Sequence, residues 1–599
     1  MTVEFLGQNA GLVLDTRNFG GEFVAALHEA GVLAQVDGWA IQSENAGGLR
    51  TLARKLHRGV RCIYIDPPYN TGSDGFAYKD SYQHSSWLTM IESRLTMGAG
   101  LLNNGGLCFA SCDRHEHHRF RVVAENVFSA AGFVESFSWI RAQNPSNLSG
   151  KTRQMAESVL CYERASDGTP LLGELLDGQD SQPLYNADNA IGALRFPPNS
   201  VQFGFETADL APGEYGKGPI CLLEVLTVRS GLNTTPLVLS GPFRWRQETL
   251  TAEIAIGTQF RVATKASLQP RFKRPIEANF KTPDNILLNK AVGVGSNEDA
   301  RDELTALLGS LDFAYPKPVS LVRHLVAMRT TPEGIVLDFF AGSGTTAHAV
   351  LNLNRADSGT RRYILIEMAD YFDTVLLPRI CKVVYSPDWK DGKPTTRDKP
   401  ISHCLCVQRF ESYDDTLDNL ELAAPTATTQ AALLKDENQT AREAYMLRYQ
   451  LLFESKSSLL NLRQFAHPFD YTLAVRKKGV QTTVTVDLIA TFNYLIGLHE
   501  SSRNRYNLDG IWFIEGRLHD PDGEGQKVLV VWRDTNKVPN DKLNEWFRMG
   551  YDTVKSNQFA AIYVNGDNLL PNVRTTDDLW KVRLIEDEFL AKMFATDDN

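Results

Sequence analysis

Cysteine is scarce in this sequence, with 8 in 599 residues. That is ordinary usage rather than a disulfide framework, and the thiols are expected to be reduced. No apolar run approaches the about 18 residues of a membrane helix. The opening stretch MTVEFLGQNAGLVLDTRNFGG lacks a basic segment followed by an apolar one, so no secretory leader is expected and the expected compartment is the cytoplasm. There is no repeat of 20 to 50 residues, which excludes a solenoid or propeller. No G-x-x-x-x-G-K-[ST] phosphate loop occurs, so the chain is not expected to hydrolyse nucleoside triphosphates. A basic excess is missing too: the net charge is −10. That balance argues against a nucleic-acid partner only until the local distribution is read.

What is present is a globular composition, 43% hydrophobic and 22% charged, with length for about three to four domains. Residues 61–65, RCIYI, predict a strand stopped by Asp66-Pro67-Pro68-Tyr69, since consecutive prolines continue neither ladder nor helix. Helix (85–103), strand (107–111), helix (116–131) and strand (133–140) follow, an α/β rhythm with a largely parallel sheet. It weakens over 165–305 and returns with strand 335–340, a turn at 341–344, helix 345–354 and strand 362–366. Beyond an acidic stretch at 411–422, read as a solvated linker, residues 420–599 predict a separate helical and α/β region with an apolar helix at 487–498 and strands at 510–515 and 527–533.

Two segments carry chemistry. In Asp66-Pro67-Pro68-Tyr69, a carboxylate and a rigid proline carbonyl can accept the two N–H groups of a nucleobase amine. That draws the nitrogen out of conjugation and exposes its lone pair. Tyr69 offers a ring on which an extruded base stacks, worth about 1–3 kcal/mol. The same four residues also suit a strand-ending turn with a capping Asp, and the motif alone leaves both readings open. The second segment is Asp338-Phe339-Phe340-Ala341-Gly342-Ser343-Gly344, followed by Thr345 and Thr346. Its glycines permit close approach to a ligand, and the next helix offers free N–H groups. Glu367 closes the following strand, where a carboxylate can grip ribose hydroxyls. A nucleoside without a long phosphate chain fits, and so does a purely structural turn.

Together the segments resemble the amino-group DNA methyltransferases of the β arrangement, in which D-P-P-Y precedes F-x-G-x-G. The chain looks most like the modification (Mod) subunit of Type III restriction–modification systems. The likeness runs over 40–375 through YIDPPYNTGSDGFAYKD (64–80), WLTMIESRLTMGAGLLNNGGLCFASCD (87–113), FAYPKPVSLVRHL (313–325) and VLDFFAGSGTTAHAVLNLN (336–354). It is looser through PFDYTL (468–473) and VDLIATFNYLIGL (486–498). The resemblance implies a Rossmann-like methyltransferase sheet with an inserted recognition domain and a C-terminal α+β region. It implies S-adenosylmethionine as donor and adenine N6 as acceptor, with Asp66, Pro67, Pro68 and Tyr69 as the catalytic loop. Tyr315, Pro316 and Lys317 would lie against the methionine end of the donor, beside the 338–346 loop and Glu367. It further implies double-stranded DNA as substrate, a homodimer, and an ATP-dependent restriction (Res) subunit as partner.

The expected domains are 1–164 (catalytic part), 165–305 (target recognition), 306–400 (cofactor part) and 401–599 (dimerisation or partner region). Residues 256–290 support a DNA-facing segment, with seven basic residues (Arg261, Lys265, Arg271, Lys273, Arg274, Lys281, Lys290) against two acidic ones. Arg244, Arg246, Arg271, Lys273, Arg274 and Lys281 are the expected DNA contacts. Cys108, Cys112, His115, His117 and His118 do not have finger spacing, and no metal is expected. Asp509, Glu515 and Arg517 hint at a nuclease core but lack the lysine after the glutamate. Two other functions remain open at this level: cytosine-N4 methylation by the same chemistry, and a DNA-binding specificity subunit without significant catalysis.

Overall fold

The computed structural model describes residues 12–593 apart from 20–22, 25, 28–29, 33–35, 71–81, 143–151, 174–180, 217–219, 275–280, 289–291, 310–312, 314, 330, 397–399, 420–461, 478–479, 507–509, 521–522, 552–556 and 574–579. Lys290, Asp509 and part of the acidic stretch thus lie outside the described residues. The chain forms two compact units, one of 1–169 with 285–599 and one of 170–284.

In the first unit, β1 (Gly38–Gln42), α1 (Asn45–Leu56), β2 (Val60–Ile65), α2 (His84–Leu101), β3 (Leu102–Cys112), α3 (His117–Phe128), β4 (Phe133–Ile140) and β5 (Ala156–Arg164) come first. After the second unit follow β6 (Ile286–Leu287), α4 (Asn297–Leu308), α5 (Val319–Ala327), β7 (Ile335–Asp338), α6 (Thr345–Asp357), β8 (Arg362–Glu367), α7 (Leu377–Tyr385) and β9 (Leu405–Arg409). The strands make one sheet in the order β6-β4-β5-β3-β2-β7-β8-β1-β9. Neighbours run parallel except where β5 lies antiparallel between β3 and β4.

β2 and β7 are buried almost throughout, as strands covered on both faces must be. α2 supplies one cover, burying Trp87, Ile91 and Leu95 at successive four-residue steps. From β2 the chain runs through α2 to β3 on one side; from β7 it runs through α6 to β8 on the other. The strand order therefore reverses between β2 and β7, where α/β sheets open a crevice at their carboxyl ends.

Three boundaries differ from the sequence expectation. The strand expected over 335–340 ends at Asp338, because its carboxylate accepts the Phe340 N–H at 3.0 Å and bends the chain. The inserted unit stops at 284 rather than 305: Ile286–Leu287 pair with β4, and Ser296 and Asp299 form a capping box that starts α4. The sheet also passes residue 400, since β9 pairs with β1. The last two segments are short, and their strand partners lie across the insertion or hundreds of residues away.

The C-terminal segment adds helix α8 (Leu488–Leu495) and a sheet of β10 (Leu498–Tyr506), β11 (Ile511–Leu518), β12 (Lys527–Arg533), β13 (Ala561–Val564) and β14 (Val582–Leu584) in sequential order. The apolar side of α8 is covered within the chain: Leu488, Ile489 and Phe492 pack with Phe465, Trp532, Tyr563 and Phe589. Arg54 of α1 donates to the Leu495 carbonyl at 3.3 Å. The 170–284 unit has its own core, with Phe196, Val201, Leu226, Leu239 and Phe260 among its buried residues. Among the described residues, no helix is long and apolar enough to cross a membrane.

Candidate active site

The two sequence motifs leave β2 and β7 side by side, where Cys62 and Ile63 pair with Val336 and Leu337. After β2, the indole N–H of Trp87 donates to the Pro68 carbonyl at 2.7 Å and pins the loop to α2. Asn70, in the left-handed region at φ 57°, donates to Glu116 at 2.7 Å and accepts from the Tyr82 N–H at 2.6 Å. Asn tolerates that backbone better than most residues. Glu116 is fully buried, and His84 and Arg119 also meet it.

Lys317, which the resemblance assigned to the donor site, sends its ammonium instead to Asp66 Oδ2 at 2.8 Å. The same nitrogen is 3.8 Å from Glu157 Oε2 and 4.8 Å from the centre of the Tyr69 ring. Burial works against its charge, but the Asp66 and Glu157 carboxylates outweigh burial and hold its pKa above the ordinary lysine value. The Tyr69 hydroxyl donates to Glu157 at 3.0 Å; burial, then Asp66 and Glu157, push its pKa well up, so it remains a donor. Asp66 Oδ1 is buried and has no hydrogen-bond partner among the described residues. A buried acceptor in that state can take a hydrogen bond from a bound molecule or from water.

The glycine loop is built by its own backbone. Buried Asp338 accepts from Phe340 N–H and from the Thr346 hydroxyl, and burial pushes its pKa up to about 7. Through these two bonds it shapes the loop. Phe339, Ala341, Ser343, Thr345 and Thr346 are buried as well, whereas Phe340 and Gly342 are half-buried. Arg379 of α7, missed in the sequence, is 1% exposed and donates to Ser343 Oγ at 2.7 Å and Thr345 Oγ1 at 3.0 Å. Glu367 accepts the Gly342 N–H at 2.8 Å, and the Met368 and Ala369 N–H groups at 2.9 and 3.0 Å. Burial raises its pKa, although those N–H groups pull the other way.

A Cβ added at Gly342, φ 53°, would come no nearer than 3.9 Å to the Phe340 carbonyl and 4.0 Å to the Phe313 ring. At Gly344, φ 81°, it would lie 3.3 Å from Leu376 Cγ. Among the described residues, a side chain at Gly342 thus meets only ordinary contacts, while one at Gly344 is tight against Leu376. α6 starts at Gly344 without a side-chain cap. The donor set fits S-adenosylmethionine: helix N–H groups suit a carboxylate, Glu367 suits hydroxyls, and Phe340 and Phe313 offer aromatic surface. Tyr315 is 60% exposed and Pro316 is buried.

The comparisons with known proteins follow the same residues. The family model described as DNA methylase, the N6/N4 group, matches 60–375, more than half of the chain. This chain belongs to the N6/N4 DNA methylase family. The chain is 28% identical over 368 residues to the StyLTI Type III Mod subunit of Salmonella typhimurium, covering 54% of this chain and 51% of that one. It is 27% identical over 373 residues to the EcoPI Mod subunit of Escherichia phage P1, covering 55% and 57%. The chain thus spans about half the length of these relatives. Among solved structures, M1.HpyAVI in complex with SAM matches at 14% identity over 57% of this chain and 98% of its own, with a TM-score of 0.28, too low to carry weight.

In the methylase's 170–284 unit, the expected DNA contacts separate. Arg274 is held by Glu253, with Nε 2.9 and 3.0 Å from the two carboxylate oxygens, so its charge is balanced within the chain. Arg271 donates to Ser181 Oγ at 2.9 Å and is half-buried. Arg244, Arg246, Lys273 and Lys281 are exposed. Strands 259–262 and 270–273 pair with Gln259 opposite Lys273 and Arg261 opposite Arg271, while Arg261 also pairs with Gln202. Alternation buries Phe260, Val262, Pro270 and Phe272 and leaves Gln202, Gln259, Arg261, Arg271 and Lys273 on the other face. Elsewhere, Glu515 is tied to Lys527 at 2.9 Å and to the Tyr551 hydroxyl at 3.0 Å. Among the described residues, no three His, Cys, Asp or Glu side chains gather as metal ligands.

Proposed function

We propose that this methylase transfers a methyl group from S-adenosylmethionine to adenine N6 in double-stranded DNA, as the modification subunit of a Type III restriction–modification system. The observation that carries this reading is the buried Asp66 Oδ1, without a hydrogen-bond partner among the described residues, one strand away from the glycine loop. When bound, the donor supplies an electrophilic methyl group whose leaving group is a neutral thioether. Asp66 accepts one N–H of the amine and the Pro67 carbonyl the other, which exposes the nitrogen lone pair. Tyr69 stacks on the base, which must leave the duplex to reach the loop. Asp rather than Ser at the head of the loop favours adenine over cytosine N4.

The 170–284 unit is the proposed reader of the DNA sequence. Its Gln202, Gln259, Arg261, Arg271 and Lys273 face carries the donors and acceptors that base edges and phosphates require. The relatives' names, Mod subunits of Type III restriction–modification enzymes, support a restriction (Res) subunit as partner, and a homodimer in the cytoplasm is proposed alongside. The test is to incubate the protein with DNA and methyl-labelled donor, then separate the nucleosides. Label in N6-methyladenosine supports the reading; label in N4-methylcytidine moves it to cytosine; no label ends it. Replacing Arg261, Arg271 and Lys273 together should flatten the salt slope of DNA binding by up to about three units if all three meet phosphate.

A further inference from the structure

We propose that Glu157 is a positioning residue for methyl transfer: its carboxylate fixes the Tyr69 ring through the ring's hydroxyl and shares the Lys317 ammonium with Asp66. The inference rests on the methyl-transfer reading above and adds to it a residue that neither motif contains.

Glu157 is the second residue of β5, the antiparallel strand of the sheet. A parallel strand brings its last residues to the carboxyl edge, but an antiparallel one brings its first. Ser158 accordingly pairs with Cys112 at the end of β3, and Glu157 pairs with Trp139 near the end of β4. The side chain is 7% exposed there. Three donors from three places converge on it: the Tyr69 hydroxyl at 3.0 Å, Arg141 Nη1 at 3.0 Å and Lys317 Nζ at 3.8 Å. A buried carboxylate persists only with such partners.

Arg141 and Lys317 thus face Glu157 and Asp66, two cations against two anions. Without the Glu157 charge, Lys317 belongs to Asp66 alone and weakens it as an acceptor for the amine. Without the Glu157 oxygen, the Tyr69 ring loses the anchor that sets its plane. Both effects fall on Asp66 and Tyr69.

The test compares wild type, Glu157→Gln, Tyr69→Phe and the double variant by steady-state methyl transfer. Glu157→Gln should lower kcat about 10- to 100-fold and leave KM for the donor within about threefold. Tyr69→Phe should lower kcat by about tenfold, and the double variant should fall no more than about threefold below the weaker single one. An unchanged kcat in Glu157→Gln, or single effects that simply multiply, overturns the inference. If circular dichroism finds Glu157→Gln unfolded, Tyr69→Phe decides alone: a lowered kcat supports the inference and a wild-type kcat overturns it. A wild-type protein that methylates no DNA ends the underlying reading too, whereas an active wild type with an indifferent Glu157→Gln ends only this one.

Discussion

The loops after β2 and β7 leave neighbouring strands at one edge of the sheet, yet they are held by different means. The glycine loop is fixed in part by its own residues, Asp338 to Phe340 and Thr346 with two glycines in the left-handed region, and in part by Glu367 of β8 on Gly342 and Arg379 of α7 on Ser343 and Thr345. The catalytic loop is fixed by side chains from distant elements: Trp87 on Pro68, Glu116 on Asn70, Glu157 on Tyr69 and Lys317 on Asp66. The difference assigns each loop its weakness. Backbone changes should damage the first, and side-chain changes far away in sequence should damage the second.

The largest effect is expected at Gly344. A valine there takes on left-handed strain of roughly 1–2 kcal/mol and overpacking against Leu376 of about 1–3 kcal/mol. Denaturant unfolding of Gly344→Val should show the unit destabilised by both, with donor binding lost as a consequence. Gly342→Ala carries similar left-handed strain but no tight contact, because its added carbon meets nothing nearer than 3.9 Å among the described residues. It should weaken donor binding while keeping most of the stability. A Gly344→Val protein of wild-type stability would break the contrast between the loops.

Next in size is Trp87→Phe, which leaves the Pro68 carbonyl without its donor, a loss of about 1–3 kcal/mol. Turnover should fall by about tenfold, or about 1.4 kcal/mol in the barrier, with donor affinity unchanged in calorimetry. If donor affinity falls instead, the two loops are not independently supported.

A further effect, read in the pH dependence of stability and not in turnover, concerns Asp338. In the folded protein its carboxyl keeps its proton up to about pH 7, against 3.8 ordinarily, because it is buried. The folded state therefore binds more protons than the unfolded one between those values, and this group's contribution to stability falls as pH rises from about 4 to about 7. Asp338→Asn should remove that part of the slope when unfolding is followed across the window. A slope equal to that of wild type would show that Asp338 titrates normally.

The same contrast explains what the sequence disclosed. Gly342, Gly344 and Asp338 were readable because a loop held by its own backbone writes its requirements into adjacent positions. The strands and helices around both loops were readable from apolar periodicity, within a few residues at their ends. Trp87, Glu116 and Glu157 were not, since a helical Trp, an acid among histidines and an acid opening a strand look ordinary until the sheet order joins them. Lys317 was noticed through the resemblance, but its ion pair with Asp66, 251 residues away, was not legible in the sequence. Arg274 counted as basic surface until Glu253 was found beside it. β9 and the end of the inserted unit at 284 depended on pairings remote in sequence.

The division of labour between the loops is tested most directly with Asp66→Ala, measured for donor binding by calorimetry and for methyl transfer to DNA in the same preparation. The account predicts donor affinity within about threefold of wild type and turnover reduced by far more than tenfold, a barrier increase well above about 1.4 kcal/mol. Retention of more than about a tenth of the turnover, or loss of donor binding together with turnover, would contradict it.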